Sequence, residues 1–218
     1  MKPLLVLAAF PVVLMGWASC SHSGTGHAAL PDPRAVDKSV PEYKNPFHPS
    51  TYAHFVARKD YRKTYDVYKD DTLLNRQPKK SRKIFVCLDE QRGQYLVDGL
   101  VAMDFPLSSG VKAYPTKTGD YAVISKKEDH TSNLYGKMYD AEGKCINYNA
   151  ESTDPIPEGG RFDGSPMPYW QRLTNAGLGL HVGKVRRHPV SHGCVRLPRN
   201  VAEILYRQTS IGTPVTIQ

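Results

Sequence analysis

Apolar and polar positions change their period along the chain, and the change marks where a folded body begins. Ile84-Phe85-Val86-Cys87-Leu88 is a continuous apolar run of strand length, closed by the turn residues Asp89 to Gly93. Residues 94–97 and 100–107 follow as return strands, and Tyr121 to Ile124 makes another short strand after a turn at Pro115 to Asp120. Residues 178–182 read as a strand carrying His181 at its end. Residues 200–207 form the clearest helix, with Val201, Ile204 and Leu205 at helical spacing and Pro198 near its start. Val215 and Ile217 alternate in a last strand. Strands dominate, so the pattern predicts a mainly β domain with one short helix after Cys194.

Ahead of that body the periodicity fades. Residues 51–75 scatter Tyr52, Phe55, Tyr61, Tyr65, Val67, Tyr68, Leu73 and Leu74 among charges, as in a short helical arm packed on the domain. Residues 21 to 50 are rich in Ser, Gly, Pro and His, the composition of a flexible tether. Arg76 to Lys83 is a basic run containing Pro78, read as a solvated connector. The first residues differ again. Lys2, an apolar run from Leu4 to Met15 and the small residues Ala18-Ser19-Cys20 have the order of an export leader, too short to span a bilayer as a helix. Ala18-Ser19-Cys20 resembles the end of a bacterial lipobox, which implies lipid on Cys20 and a membrane anchor; an ordinary leader cleaved near Ala18 is the alternative. The organisation expected is a leader over 1–19, a tether and arm over 20–80, and a domain over 81–218.

Composition sharpens this in three places. Seventeen glycines, seventeen prolines and thirteen tyrosines in 218 residues fit a loop-rich β protein. The net charge of +8 would suit nucleic acid, anionic lipid or an anionic wall polymer, and export removes nucleic acid from that set. Of the four cysteines, Cys20 belongs to the leader junction and Cys194 to a polar turn. Cys87 and Cys145 remain, either paired in an oxidising compartment or, for Cys87, a small buried thiol.

The chemistry concentrates in His188-Pro189-Val190-Ser191-His192-Gly193-Cys194-Val195-Arg196-Leu197. A thiol attacks carbonyls as thiolate, and a nearby histidine is the usual means of making one. Two histidines qualify: His192 beside the cysteine, and His181 in the turn Leu180-His181-Val182-Gly183 thirteen positions upstream. A helix starting soon after Cys194 is expected to favour its thiolate through the helix N-terminus. The bland alternatives are a buried structural thiol and a zinc site built from His181, His188, His192 and Cys194, whose spacing matches no familiar metal motif. Tyr169-Trp170 reads either as core or as the wall of a cleft.

Ser191-His192-Gly193-Cys194-Val195-Arg196 resembles the signature of the L,D-transpeptidases, the YkuD-type catalytic domain. Further segments resemble that family in its order: Pro106 to Gly110, Pro115 to Tyr121, Met167 to Trp170, and Gly177 to His181. The interval from His181 to Cys194 is somewhat short for the family, and Val182 replaces a frequent glycine. The resemblance implies a β-sandwich or barrel-like catalytic domain with Cys194 as nucleophile and His181 as general base. A backbone carbonyl near Val182 would orient the imidazole. It also implies an oxyanion site around Gly193 and Cys194, shaped by Ser191 and His192, and an Arg196 that braces the loop or meets a substrate carboxylate. Peptidoglycan stem tetrapeptides would be the substrate, with a second stem peptide, a lysine of a wall-anchored protein or water as acceptor. No cofactor or metal is called for. Hydrolysis of the same bonds and a silent wall-binding lipoprotein are the alternatives.

Overall fold

A computed structural model describes residues 32–77 and 81–218; the leader and Cys20 lie outside the described residues. In chain order the elements are α1 (Tyr52–Ala57), β1 (Tyr68–Lys69), α2 (Asp71–Leu74), β2 (Arg82–Cys87), β3 (Arg92–Val97), β4 (Leu100–Pro106), β5 (Gly119–Ala122), β6 (Ser125–Lys127), β7 (Thr131–Tyr139), β8 (Cys145–Glu151), β9 (Arg161–Pro166), β10 (Trp170–Arg172), β11 (Gly179–Val182), β12 (Val195–Leu197), α3 (Arg199–Gln208) and β13 (Pro214–Ile217). The protein is mainly β.

Three sheets organise these strands. The largest has the order β1-β4-β3-β2-β13-β5, a second runs β12-β11-β10-β6, and a third is β8-β7-β9. The apolar alternation of β2, β4 and β13 turns Ile84, Val86, Met103, Phe105, Val215 and Ile217 inward, where they meet Leu180, Val195 and Leu197 of the second sheet. Helix α3 joins the same core through Val201, Ala202 and Leu205; of the stripe that its spacing predicts, Val201 and Leu205 are buried and Ile204 packs half-buried against them. Its end is held by Lys126, which donates to the carbonyls of Tyr206 and Thr209, placing a cation at the helix C-terminus.

The second sheet sets the geometry that matters. Strands β11 and β12 are parallel, with Leu180 opposite Val195 and His181 opposite Arg196. A parallel pair needs a crossover connection, and residues 183–194 supply it as a loop. Cys194 is the last residue of that loop, directly before the strand lying beside that of His181.

The arm is more closely bound to the domain than a tether suggests. From residue 32 onward the chain lies on the fold: Arg34 pairs with Glu90, Lys38 donates to the Val56 carbonyl and Tyr43 to that of Ala57. Strand β1 extends the large sheet at its edge beside β4. Asp104, fully buried on β4, is bound from one side by Arg92 at 2.5 Å and from the other by the hydroxyls of Tyr52 (2.7 Å) and Tyr61 (2.8 Å). Burial, reinforced by the Asp104 charge, pushes both phenols far above their ordinary range, so both stay protonated donors.

Other expectations change. Arg82, assigned to a solvated connector, is buried at the start of β2 with its guanidinium donating to the carbonyls of Leu73 and Arg76. Cys87 ends β2 in the large sheet, Cys145 opens β8 in the third, and no disulfide joins them. The third sheet is absent from the hydrophobic pattern because it is exposed on much of both faces; β8 buries only Ala150 fully.

Candidate active site

Cys194 lies where two clefts meet, and it lines both. The first, about 340 Å³, is walled by Trp170, Tyr135, Leu134, Met167 and Leu178, with Lys117, His130 and Arg172 among its polar groups. The second, about 290 Å³, contains His181, Ser191, Lys184 and Arg196. His192 lines both. Among the described residues neither cleft has an aspartate or glutamate on its wall, which favours a carboxylate-bearing ligand beside their basic groups.

The loop carrying the cysteine is shaped by small groups. Ser191 is buried; its Oγ donates to the Cys194 carbonyl (2.5 Å) and accepts from the Gly193 N–H (3.2 Å), closing a tight turn. Gly193 has φ +109°, a conformation that L side chains rarely adopt. From the other side, Thr116 Oγ1 donates to the Gly193 carbonyl (2.7 Å) and accepts from the Gly110 N–H (2.8 Å). Gly110 permits that approach: a Cβ there would stand 2.1 Å from the Tyr114 carbonyl oxygen and 2.8 Å from Gly193 Cα. The sequence segments 106–110 and 115–121 therefore meet at the cysteine turn.

His181 is buried in β11. Its Nδ1 lies 2.7 Å from the Val182 carbonyl, which only accepts, so Nδ1 carries the proton and Nε2 keeps its lone pair. Burial pushes the imidazole down to about 4, against the opposing effect of the Val182 bond, and Arg196 and His130 push the same way. At neutral pH the ring is a neutral base. Trp170 packs beside it at 6.0 Å between ring centroids, and His130 stacks on Trp170 at 5.0 Å.

The thiol is not the pre-formed thiolate that a following helix would favour. Strand β12 intervenes between Cys194 and α3, so the helix N-terminus is not at the sulfur. Burial raises the Cys194 pKa; a backbone hydrogen bond at Gly179 and the charges of Arg196 and Arg172 only partly offset it. The Sγ donates to the Gly177 carbonyl at 3.3 Å. A neutral thiol and a neutral imidazole with a free Nε2 share one desolvated cleft. Such a pair is chemically able to pass the thiol proton to the imidazole when an electrophile meets the sulfur.

Arg196 is half-buried on β12, its aliphatic stem against Gly183, with its guanidinium charge favouring sulfur ionisation. The His192 ring is exposed and stacks on Tyr135 (4.4 Å, 16° between planes) and against Tyr114 (4.8 Å). That makes it part of an aromatic wall. His188 is exposed, with Nδ1 toward the Pro189 carbonyl at 3.3 Å, and lines neither cleft. Among the described residues no group of three or more His, Cys, Asp or Glu is placed to hold a metal ion. Both readings of Trp170 hold, since it is buried and lines the first cleft. Tyr135, His130 and Arg172 were not singled out from sequence; the first two stand at the polar third sheet and its approach, where no pattern marks them.

Comparison with known proteins gives the family. The L,D-transpeptidase catalytic domain model, YkuD, matches residues 81–217. A curated relative described as a probable L,D-transpeptidase 3 of Mycobacterium tuberculosis is 32% identical over 120 residues, covering 52% of this chain and 38% of the relative. The chain thus spans well under half the length of that relative. Among solved structures, an L,D-transpeptidase from Mycobacterium smegmatis is similar at 22% identity and TM-score 0.48, over 63% of this chain and 58% of that one. The catalytic domain of the E. faecium L,D-transpeptidase is similar at 28% identity and TM-score 0.46, over 64% of this chain and 98% of that one. With the family model covering the whole domain from Ser81 to Ile217, the chain belongs to the L,D-transpeptidase (YkuD) catalytic domain family.

Proposed function

We propose that this protein is a cysteine-dependent L,D-transpeptidase that acts on peptidoglycan stem tetrapeptides through a thioester on Cys194. One observation carries the reading: His181, locked in its Nδ1–H tautomer by the Val182 carbonyl, shares a cleft with the half-buried Cys194 thiol. As the sulfur bonds to the carbonyl carbon of the third stem residue, His181 Nε2 takes the thiol proton. The carbonyl oxygen becomes an oxyanion. The Gly193 N–H is turned back onto Ser191 Oγ, so the Cys194 N–H is the donor assigned to that charge. Collapse breaks the amide bond to D-Ala, whose amine leaves with the proton held by His181. An acceptor amine then loses a proton to His181, attacks the thioester and releases the thiolate, which is reprotonated.

The acid-free walls of both clefts support an anionic stem peptide as substrate. The amine of a second stem peptide is the acceptor in the first reading, giving a cross-link. A lysine of a wall-anchored protein gives attachment, and water gives a tripeptide. The leader-like first residues support a location in the cell envelope, with Cys20 as the point of lipid attachment. Ser191 and His192 shape the site, and Arg196 steadies developing charge on sulfur.

The test is incubation of the purified protein with a defined disaccharide tetrapeptide and mass analysis of products. A dimer that has lost one D-Ala supports the transpeptidase. Tripeptide alone assigns the hydrolase, and unchanged tetrapeptide with folded protein assigns the silent binder.

A further inference from the structure

We propose that Arg187 is a positioning residue, and that arm residues 61–66, outside the matched catalytic domain, complete the active site by holding the loop that carries Cys194. The proposal rests on Cys194 being the nucleophile. Arg187 lies on the crossover between His181 and Cys194, at a left-handed φ of +56° that a non-glycine residue adopts only at a cost. Its Nη1 donates to the carbonyls of Thr64 (2.7 Å) and Tyr61 (3.5 Å), and its Nη2 donates to the Glu90 carbonyl (3.0 Å). One guanidinium thereby ties the crossover to the arm and to the turn between β2 and β3.

The anchor is rigid. The Thr64 carbonyl also accepts from Arg92 Nη1 at 3.2 Å, and Arg92 is buried against Asp104, which holds the Tyr61 hydroxyl. The neighbouring residue adds two ties: the Arg186 N–H donates to Ser108 Oγ (2.8 Å), and its carbonyl accepts from the Tyr65 hydroxyl (3.2 Å). Ser108 exchanges backbone hydrogen bonds with Arg196, while the Ser109 carbonyl accepts from the N–H groups of Val190 and Ser191. Ser191 Oγ in turn holds the Cys194 carbonyl. A continuous set of hydrogen bonds therefore runs from the arm to the backbone of Cys194.

A structural link alone does not account for this chemistry. Among the described residues, the buried Arg187 Nε has no hydrogen-bond partner and no carboxylate bonds the guanidinium, while the like charge of Arg92 is nearby. Burial, with Arg92, pushes the guanidinium below its ordinary range. Such a group is unfavourable for folding, yet it fixes a loop whose last residue must sit within bonding distance of a substrate carbonyl. Displacing a reacting group by about 1 Å costs on the order of 100-fold in rate.

The experiment compares the full chain with Arg187→Ala, Arg187→Lys and Tyr65→Phe. Turnover of the disaccharide tetrapeptide should fall by about 100-fold in kcat for Arg187→Ala, with KM changed by less than about threefold. Lysine, able to reach one or two of the same carbonyls, should recover part of that loss. Tyr65 is largely exposed, so Tyr65→Phe keeps the fold even if Arg187→Ala does not; it should lower kcat about threefold, as expected for loss of one tie. A kcat per folded molecule that is unchanged in these variants, with only the melting temperature lowered, overturns the proposal. Alkylation of Cys194 by iodoacetamide on the same proteins needs no acyl donor. It should speed up about fivefold or more as the loop loosens and the half-buried thiol meets more water, and equal rates overturn the proposal even if wild type proves inactive on stem peptides. Inactive wild type with faster alkylation of the variants refutes the transpeptidase reading alone.

Discussion

Mild acid should weaken this fold through a single imidazole. His181 is 6% exposed, and burial depresses its pKa from 6.5 to about 4, with the Val182 bond opposing and Arg196 and His130 adding to the fall. The unfolded chain takes up this proton first as pH drops. Stability from keeping the ring neutral is therefore complete above pH 6.5, declines through the interval, and is fully lost below about 4. At about 1.4 kcal/mol per pH unit, the interval from 6.5 to about 4 amounts to about 3 kcal/mol. Urea unfolding at half-unit steps from pH 7.5 to 4 measures this directly, with His181→Gln as the reference that cannot titrate. Other groups titrate in both proteins and cancel in the difference. Wild type should lose about 3 kcal/mol more than His181→Gln across the window. Parallel curves would refute the burial argument, and a wild type that gains stability in acid would reverse its sign.

Three further outcomes follow from the same geometry. With His181 as the proposed base, the acid limb of kcat/KM should fall near pH 4 rather than near 6.5, activity disappearing only as that ring protonates; a stopped-flow acylation profile gives the midpoint. Asp104→Ala should cost about 3–5 kcal/mol in chemical unfolding, since it leaves buried Arg92 without its counter-charge and the Tyr52 and Tyr61 hydroxyls without their acceptor. Gly110→Ala should lower stability by about 1–3 kcal/mol and slow acylation together, as its Cβ would meet the Tyr114 carbonyl oxygen at 2.1 Å and press toward Gly193; a thermal melt and an acylation rate on one preparation check both.

The parts of the fold legible in the sequence were those where one face is buried. Ile84 and Val86 on β2, Val215 and Ile217 on β13, and the Val201 and Leu205 stripe of α3 all face one core, so their period survives in the chain. Strands β7, β8 and β9 bury little on either face, and a strand wet on both sides has no apolar alternation to read. The proposed pairing of Cys194 with His181 came from a family resemblance whose segments stand in order along the chain, and so did the Val182 carbonyl that binds the imidazole. The electrostatics were not. A helix after Cys194 argued for a ready thiolate, whereas the short β12, too brief to announce itself, separates the two, and burial sets the thiol higher. The arm was legible only as a scatter of tyrosines, because its contacts with Asp104 and Arg187 join residues far apart in sequence.

The central claim is that Cys194 carries the acyl group. Intact-protein mass spectrometry after brief mixing with the disaccharide tetrapeptide tests it most directly, with the peptide-mapped site as its second readout. Wild type should gain the mass of the donor less D-Ala, mapped to Cys194, while Cys194→Ala gains nothing and His181→Ala acylates slower by about 100-fold or more. An adduct that persists in Cys194→Ala, or maps to another residue, contradicts the account.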